Sequence, residues 1–321
     1  MPFAAVCPVL VCGERGILMS SLFRTRADKI FDTINIGIMV IVLIIVLYPL
    51  YFVCLASFSD PYAVARGEIR FWIKGFTLEA YENVFSNKNI WIGYRNTILY
   101  TLFGTIFSLM LTLPAAYTLS KKRLLCRRVI LIYFLVTMYF SGGLIPTYMT
   151  VKSLSLLNLP ITLVMMGALS VYNLIVTRVF FEATIPEDIY EAAYMDGARE
   201  SLVFIRIALP LAAPIIAVMA LFYGVARWND YFNALIYVSD SRLYPLQLIL
   251  RGILIQSQTA LAGVSSDSMD AEAIAAAARR AYMAEAMKYA LIIVSSVPLL
   301  AVYPFVQKHF VKGVMIGSLK G

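Results

Sequence analysis

The sequence predicts an all-α integral membrane protein with six transmembrane helices. Of its 321 residues, 61% are hydrophobic and only 14% are charged, whereas a water-soluble domain carries about 25% charged residues. Six apolar runs also divide the chain, each of about 20 residues and therefore long enough to cross a bilayer as a helix. Helices are expected because a backbone in lipid must satisfy its own hydrogen bonds.

The transmembrane region follows two N-terminal segments. Residues 1–18 resemble nothing else in the chain, and we expect translation to start at the basic segment 19–33, which begins "MSSLFRTRADK". The tail, 307–321, is basic and then apolar. The transmembrane domain covers residues 34–306, and its apolar runs lie at roughly 34–58, 96–120, 129–149, 161–183, 208–226 and 286–306.

Lysine and arginine residues in short loops indicate the orientation, because such loops favour the cytoplasmic side. The densest cluster is "KKRLLCRR", residues 121–128. Placing it inside puts both termini and the loop 184–207 in the cytoplasm, and the insertion 228–285 outside. Part of that insertion, 256–285, is polar and then alanine-rich. It could contact a partner or cap the helix bundle.

Composition also excludes several classes of function. The net charge of +8 is explained by cations beside the membrane, where they face anionic lipid, and no nucleic-acid-binding signature accompanies them. One histidine and four cysteines without ligand spacing predict no metal site. No GxxxxGK[ST] phosphate loop is present, so we expect no nucleotide site in this chain.

The loop 184–207 is compact and charged although it joins two apolar runs. Thr184 and Glu187 have capping-box spacing, and Pro186 suits a first helical turn. Gly197 can end the helix in the left-handed conformation, and a second helix would begin near Ser201. Periodicity alone leaves an ordinary amphipathic connector as an alternative. The residues that recur on one helical face are Ile189, Ala192, Ala193 and Asp196.

The spacing in this loop resembles the "EAA---G---------I-LP" signature of ABC-importer permeases. "FTLEAYENVF", "LTLPAAYTLSKK", "FSGGLIPTYM" and "GVARWNDYFNALIY" resemble the maltose-type carbohydrate importers, especially the branch that serves complex and pectin-derived oligosaccharides. The resemblance runs from about residue 31 to the C-terminus. It implies a type I ABC-importer permease for oligosaccharides in the bacterial cell membrane, without enzymatic activity of its own.

The resemblance also implies partners and a role for the loop. The expected partners are a second, homologous permease, two cytoplasmic ATPase subunits that use ATP and Mg²⁺, and an external sugar-binding protein; the chain itself would hold no cofactor. Two alanines would form a knob that enters a groove on the ATPase, and Glu191 could pair with a basic residue there. A permease for another solute such as peptides, a membrane enzyme and a scaffold remain alternatives. The residues implied in coupling are Glu191, Ala192, Ala193, Asp196 and Gly197.

Sugar-contacting residues are expected after the fifth run, in "ARWNDYFNALIY". Aromatic faces pack against sugar rings, and amides, carboxylates and guanidinium groups bond to hydroxyls. Trp and Tyr also gather in the aromatic belt at membrane surfaces, so both interpretations stay open. Tyr172 and Asn173 could line a path or bond a neighbouring helix. The candidates in the stretch after the fifth run are Arg227, Trp228, Asn229, Asp230, Tyr231 and Asn233.

Overall fold

The computed structural model describes residues 26–262, 279, 282–301 and 304, and in this part of the chain all regular secondary structure is helical. The helices are α1 (Arg26–Ser57), α2 (Pro61–Ala65), α3 (Glu79–Ser86), α4 (Lys88–Ser120), α5 (Arg127–Tyr139), α6 (Leu144–Ser153), α7 (Pro160–Met165), α8 (Val171–Thr184), α9 (Glu187–Met195), α10 (Glu200–Leu211), α11 (Ala213–Trp228), α12 (Phe232–Tyr237), α13 (Leu246–Ala262) and α14 (Tyr282–Ala301).

Within the described part of the chain, three helices are long and apolar enough to cross a membrane unaided: α4, α14 and the Asp28–Ser57 part of α1. Two bent pairs, α5 with α6 and α10 with α11, bring the number of candidate spans among the described residues to as many as five. These helices confirm the predicted all-α membrane class. The fourth predicted run is not one continuous helix, because it divides into α7 and α8 around Gly167, whose φ is +67°.

Both bends coincide with residues that interrupt a helix. The axes of α5 and α6 meet at 109°, across the "FSGG" stretch that ends at Gly143 with φ +84°. The axes of α10 and α11 meet at 81°. The second bend follows Pro210, and the segment Phe204–Ala208 just before it winds as a π-helix. Proline removes a backbone donor and π-turns widen a helix, so bending is expected here.

Helix α4 is the centre of the molecule and packs against α11, α8, α13 and α7. Small residues allow this close packing, as in other membrane helices. A Cβ at Gly93 would lie 3.0 Å from the Leu246 Cα of α13, and a Cβ at Gly104 would lie 3.0 Å from the Arg227 Nε of α11. The buried Thr112 hydroxyl lies 2.7 Å from the Tyr223 hydroxyl, which joins α4 to α11.

The first half of α4 also fixes the chain between α12 and α13. Asn96 donates to the carbonyl oxygens of Arg242 and Tyr244 at 2.8 and 3.1 Å. The Leu246 N–H donates to the Thr97 hydroxyl at 2.8 Å. These bonds satisfy backbone groups that would otherwise be buried without partners. Part of the predicted external insertion is therefore tied directly to a membrane helix.

Helix α1 is exposed along most of its length, with 6% of its most apolar window buried. Its last residues pack on the rest of the chain, where Phe52 contacts Tyr289 at a ring-centroid distance of 5.8 Å. An exposed apolar surface of this kind is expected of a helix that faces lipid or another membrane protein. The leader 1–18, most of segment 256–285 and the tail 307–321 lie outside the described residues, and so do the expectations placed on them.

Candidate functional site

Helix α9 forms much as the sequence indicates, with a different start. Thr184 belongs to α8 and Pro186 occupies the N-cap without a side-chain hydrogen bond, so the predicted capping box is wrong. Glu187 and Asp188 in the first turn suit the positive end of the helix dipole. At the other end, Gly197 has φ +74°, as predicted.

The C-terminus of α9 is closed by a pair of backbone hydrogen bonds. The Ala198 N–H donates to the Ala193 carbonyl and the Gly197 N–H donates to the Tyr194 carbonyl, both at 3.0 Å. This pairing satisfies carbonyl groups that a helix end leaves free, and it requires a left-handed residue at Gly197. The following helix begins at Glu200, one residue before the predicted start.

The two alanines of the predicted knob point in different directions. Ala193 is buried with Tyr190 in the core cluster that joins α4, α8, α9 and α10. Ala192 is exposed, and Asp196 with it. The knob is therefore wrong as a pair of alanines: adjacent residues project about 100° apart around a helix, and the edge of the packed face of α9 lies between these two. Met195, which the sequence did not single out, is 88% exposed on the outer side of α9.

A lysine at the end of α4 lies inside a cage of tyrosines from α4 and α9. The Lys121 Nζ lies 2.8 Å from the Tyr190 ring centroid, 4.5 Å from that of Tyr117 and 5.9 Å from that of Tyr194. Aromatic faces attract cations, and the attraction grows when water is excluded. The cage therefore attaches α9 to the end of the central helix.

Glu200 of α10 completes this cage. It accepts hydrogen bonds from the hydroxyls of Tyr117, at 2.7 Å, and of Tyr194. Its carboxylate lies 3.9 Å from the Lys121 Nζ. Burial lowers the pKa of Lys121 from 10.5 to about 8, because the charged ammonium loses hydration. Burial likewise raises the pKa of Tyr190 and of Tyr194 to about 12, so both hydroxyls stay protonated.

Two exposed ion pairs flank the cage. Lys122 pairs with Glu187 at 3.2 Å, and Arg123 pairs with Glu191 at 3.0 Å. The expected partner of Glu191 is a basic residue of another protein, but in this chain Arg123 fills that role. A groove of about 450 Å³ lies between residues 121–124 and α9. Exposed pairs of this kind contribute little to stability.

Arg227, which the sequence predicts to line the substrate path, is buried in the protein interior. It is 8% exposed, and its guanidinium donates to the carbonyl oxygens of Leu163, at 2.7 Å, and of Met166. These carbonyls belong to the end of α7, where the helix dipole favours a cation. Arg227 thus caps the broken fourth run and joins it to α11, a structural role that the sequence did not indicate.

Trp228 is also interior, at 5% exposed. Its indole N–H donates to the Ser295 carbonyl of α14 at 3.1 Å, and its ring lies 6.4 Å from that of Tyr94. In this structure it neither faces an open path nor belongs to a surface belt. The sequence left those two interpretations open, and burial between α4, α11 and α14 fits neither of them.

The remaining candidates of the stretch are divided between caps and open surface. Asp230 accepts from the Asn233 backbone N–H at 3.2 Å and from its amide at 2.7 Å, so this pair caps α12. Asn229 is exposed and lies 3.5 Å from the Gln247 amide. Tyr231 is 37% exposed and stacks against Arg251. Asn229 and Tyr231 are thus open to a ligand.

The two candidates of α8 have opposite environments. Tyr172 is 59% exposed, whereas Asn173 is 7% exposed at the first turn, where its N–H donates to the Ser170 hydroxyl. Across the described residues, no three His, Cys, Asp or Glu side chains group as metal ligands. The candidate residues described above therefore offer ion pairs, aromatic faces and amide groups.

Comparisons with known proteins identify what this chain resembles. The family model described as "Binding-protein-dependent transport system inner membrane component" matches residues 90–316. Protein LplC of Bacillus subtilis (strain 168) is 39% identical over 301 residues, covering 94% of this chain and 98% of that protein. The "Polygalacturonan/rhamnogalacturonan transport system permease protein YtcP" of the same organism is 36% identical over 297 residues, covering 92% of this chain and 99% of that protein.

A solved structure is similar over nearly the same length. It is described as a "bacterial ABC transporter involved in the import of the acidic polysaccharide alginate". The matching chain is 33% identical, with a TM-score of 0.77 over 90% of this chain and 99% of that chain. The two chains therefore share their fold over nearly their whole length.

Proposed function

The chain belongs to the family of binding-protein-dependent transport system inner membrane components, and from this premise we propose that it is the permease subunit of an ATP-driven oligosaccharide importer. It is a membrane subunit with the type I ABC-importer permease fold, and the nucleotide chemistry belongs to a separate ATPase that uses ATP and Mg²⁺. The names of similar proteins, which include a polygalacturonan/rhamnogalacturonan permease and an importer of alginate, support a carbohydrate as the substrate.

Helix α9 is the coupling helix in this proposal. It projects an exposed face formed by Ala192, Met195 and Asp196, while Tyr190 and Ala193 bind its opposite face to the core. A short rigid helix with one buried and one open face can receive a push and pass it on, because packed helices move as bodies. The observation that carries the proposal is the Lys121 cage, which joins α9 directly to α4.

The expected assembly follows from the same arrangement. The open face of α9 would contact an ATPase on the cytoplasmic side, and the opposite end of the molecule would meet an external binding protein. The exposed apolar surface of α1 supports a second, homologous permease as a lateral partner in the bacterial inner membrane. Asn229 and Tyr231 remain proposed path residues, and Arg227 and Trp228 would support them from inside.

Single-cysteine crosslinking tests the coupling role. In a complex whose permease lacks its own cysteines, Ala192→Cys and Met195→Cys should crosslink to the ATPase subunit. Ala193→Cys is the matched control, because Ala193 follows Ala192 directly but is buried and should not react. Trp72→Cys, 81% exposed on a loop far from α9 in sequence, should be labelled only from outside by a membrane-impermeant thiol reagent.

The results discriminate between the proposal and its alternatives. Crosslinking of positions 192 and 195 to an ATPase, together with uptake of an oligosaccharide by the reconstituted complex, would support it. Labelling of these positions from the exterior would contradict the orientation. Uptake of peptides but not of oligosaccharides would leave the coupling role intact and overturn the substrate.

A further inference from the structure

A recess between α13 and α14 carries two positive charges. Its volume is about 350 Å³, and its polar lining includes Tyr231, Gln247, Arg251, Lys288 and Ser295. Ser295 also accepts the Trp228 indole N–H, so the recess lies beside the residues that join α11 to α14. This volume is at the lower end of the range of about 300–1,000 Å³ for small-molecule sites.

The recess lies at the opposite end of α4 from the Lys121 cage. Tyr94, near the start of α4, donates to the Val294 carbonyl of α14, one residue from Ser295. Tyr94 and Lys121 are 27 residues apart in sequence, which corresponds to about 40 Å along a helix. In the proposed orientation, the recess is therefore on the external half of the permease.

Neither cation of the recess has an acidic partner within the described part of the chain. Arg251 and Lys288 belong to none of the salt bridges between described residues. Asp230, next to Tyr231, is already occupied by Asn233, and Glu285 lies outside the lining of the recess. Lys288 lies within the candidate span α14, where a charge is costly and usually belongs to a functional path.

The remaining groups of the recess suit a sugar acid. The Arg251 guanidinium carbon lies 4.7 Å from the Tyr231 ring centroid, so the guanidinium contacts the aromatic face. Its fork can then bind a carboxylate through two parallel hydrogen bonds. Lys288 adds a second charge, and Gln247, which lies 3.5 Å from the Asn229 amide oxygen, can bond hydroxyls. A neutral sugar would use the ring and the amide and would need neither cation.

We propose that this recess binds the carboxylate groups of an acidic, uronate-type oligosaccharide during its passage through the permease. The inference rests on the proposed function, because it names the charge class of the same transported substrate. Arg251 would hold one carboxylate through its fork, and Lys288 would neutralise the charge of the same or a neighbouring unit. The size of the recess matches a short part of the oligosaccharide, with the rest held by other surfaces of the complex.

The test uses the full complex of both permeases, the ATPase and the binding protein in vesicles. Uptake is measured for a galacturonate trimer and for its methyl ester, which has the same length without charge, after the affinity of the binding protein for each has been measured separately. For Arg251→Gln and Lys288→Gln we expect the KM for the charged trimer to rise about 10-fold or more. Arg251→Lys keeps the charge and loses the fork, so it should show part of this effect.

Arg242→Gln is the matched control, because Arg242 lies nearby in sequence, is 83% exposed and pairs with Asp240 outside the recess. It should transport both trimers normally. ATPase activity stimulated by the loaded binding protein and the melting temperature of each variant show whether the complex is intact.

Each outcome decides the inference. A loss confined to the charged trimer supports it, whereas an equal loss of both trimers, or unchanged transport by both variants, overturns it. Vesicles of phosphatidylcholine with and without phosphatidylglycerol test whether an anionic lipid headgroup is the ligand instead. If Arg251→Gln and Lys288→Gln reduce uptake of the charged trimer only in vesicles that contain phosphatidylglycerol, the inference is also overturned. If the unmodified complex takes up neither trimer although its binding protein binds both, the proposed carbohydrate function fails first.

Discussion

Replacing Gly197 with valine should separate ATP hydrolysis from transport. The residue has φ +74°, the left-handed conformation that the two hydrogen bonds closing α9 require. Among the described residues, no atom lies within 4 Å of the position where a Cβ would be added, so the cost expected here is conformational. A left-handed residue other than glycine costs about 1–2 kcal/mol, and a β-branched one lies at the upper end. A cost of about 2 kcal/mol would lower the ratio of closed to open C-termini about 30-fold.

The chain supplies a closely matched control at Gly67. This glycine has φ +66° and also has open space for 4 Å around the position that a Cβ would take. It ends α2 with the same pair of hydrogen bonds, from Gly67 to Val64 and from Glu68 to Ala63. Gly67→Val should therefore have a similar conformational cost at a site that does not belong to α9. Gly197→Asn should be milder, since asparagine tolerates the left-handed region.

The assay is the ratio of ATP hydrolysed to oligosaccharide taken up by the reconstituted complex, together with its melting temperature. We expect Gly197→Val to raise this ratio several-fold while the complex stays assembled, and Gly67→Val to leave it near the unmodified value. The reasoning would be refuted if both valine variants changed the ratio equally, or if Gly197→Val transported with normal coupling. The first result would indicate a general loss of stability, and the second would show that a closed helix end is not needed.

Three further predictions concern buried groups. Trp228→Ala should lower the amount of folded complex and its uptake together, because loss of a buried tryptophan costs about 3–5 kcal/mol of stability. Trp228→Phe should lose less stability. A selective loss of uptake at unchanged melting temperature would instead indicate that Trp228 contacts the sugar. Gly93→Val should lower the melting temperature, because its Cβ would lie 3.0 Å from the Leu246 Cα, whereas Gly37→Val, with open space around it, should not; equal effects would contradict the close packing of α4 and α13. The melting temperature of the unmodified complex, relative to that of Lys121→Met, should rise between pH 8 and 10. The reason is that the Lys121 ammonium loses its proton at a pKa of about 8 in the folded state but only at 10.5 in the unfolded state. A fall in this relative melting temperature over the same range would contradict the burial of the ammonium.

The sequence was sufficient for features that depend on local pattern. The membrane class follows from the length and apolarity of α1, α4 and α14, and the end of α9 follows from a glycine placed after a helical repeat. The break at "FSGG" before α6 has a local cause of the same kind, because glycine interrupts helices through backbone geometry.

Features that depend on distant segments could not be read from the sequence. The Lys121 cage joins α4 to residues about 70 positions later in the chain. The basic segment 121–128 predicted the membrane orientation, but nothing in it indicated that Lys121 would contact tyrosines. Ala192 and Ala193 look equivalent in sequence, but only the packing of α9 on its neighbours decides which of them is buried. Arg227 and Trp228 look like a sugar site because burial between three helices is not visible in their residue types.

The length of α4 has a mechanical consequence for transport. Its 33 residues correspond to about 50 Å, with the coupling cage near one end and α13 packed by Gly93 near the other. For a rod of this length, a 1 Å sideways shift at one end, pivoting at the other, is a tilt of about 1°. If the pivot lies midway along α4, a small tilt moves its two ends in opposite directions. One mouth of a pathway beside α4 then narrows as the other widens, and no helix has to unwind.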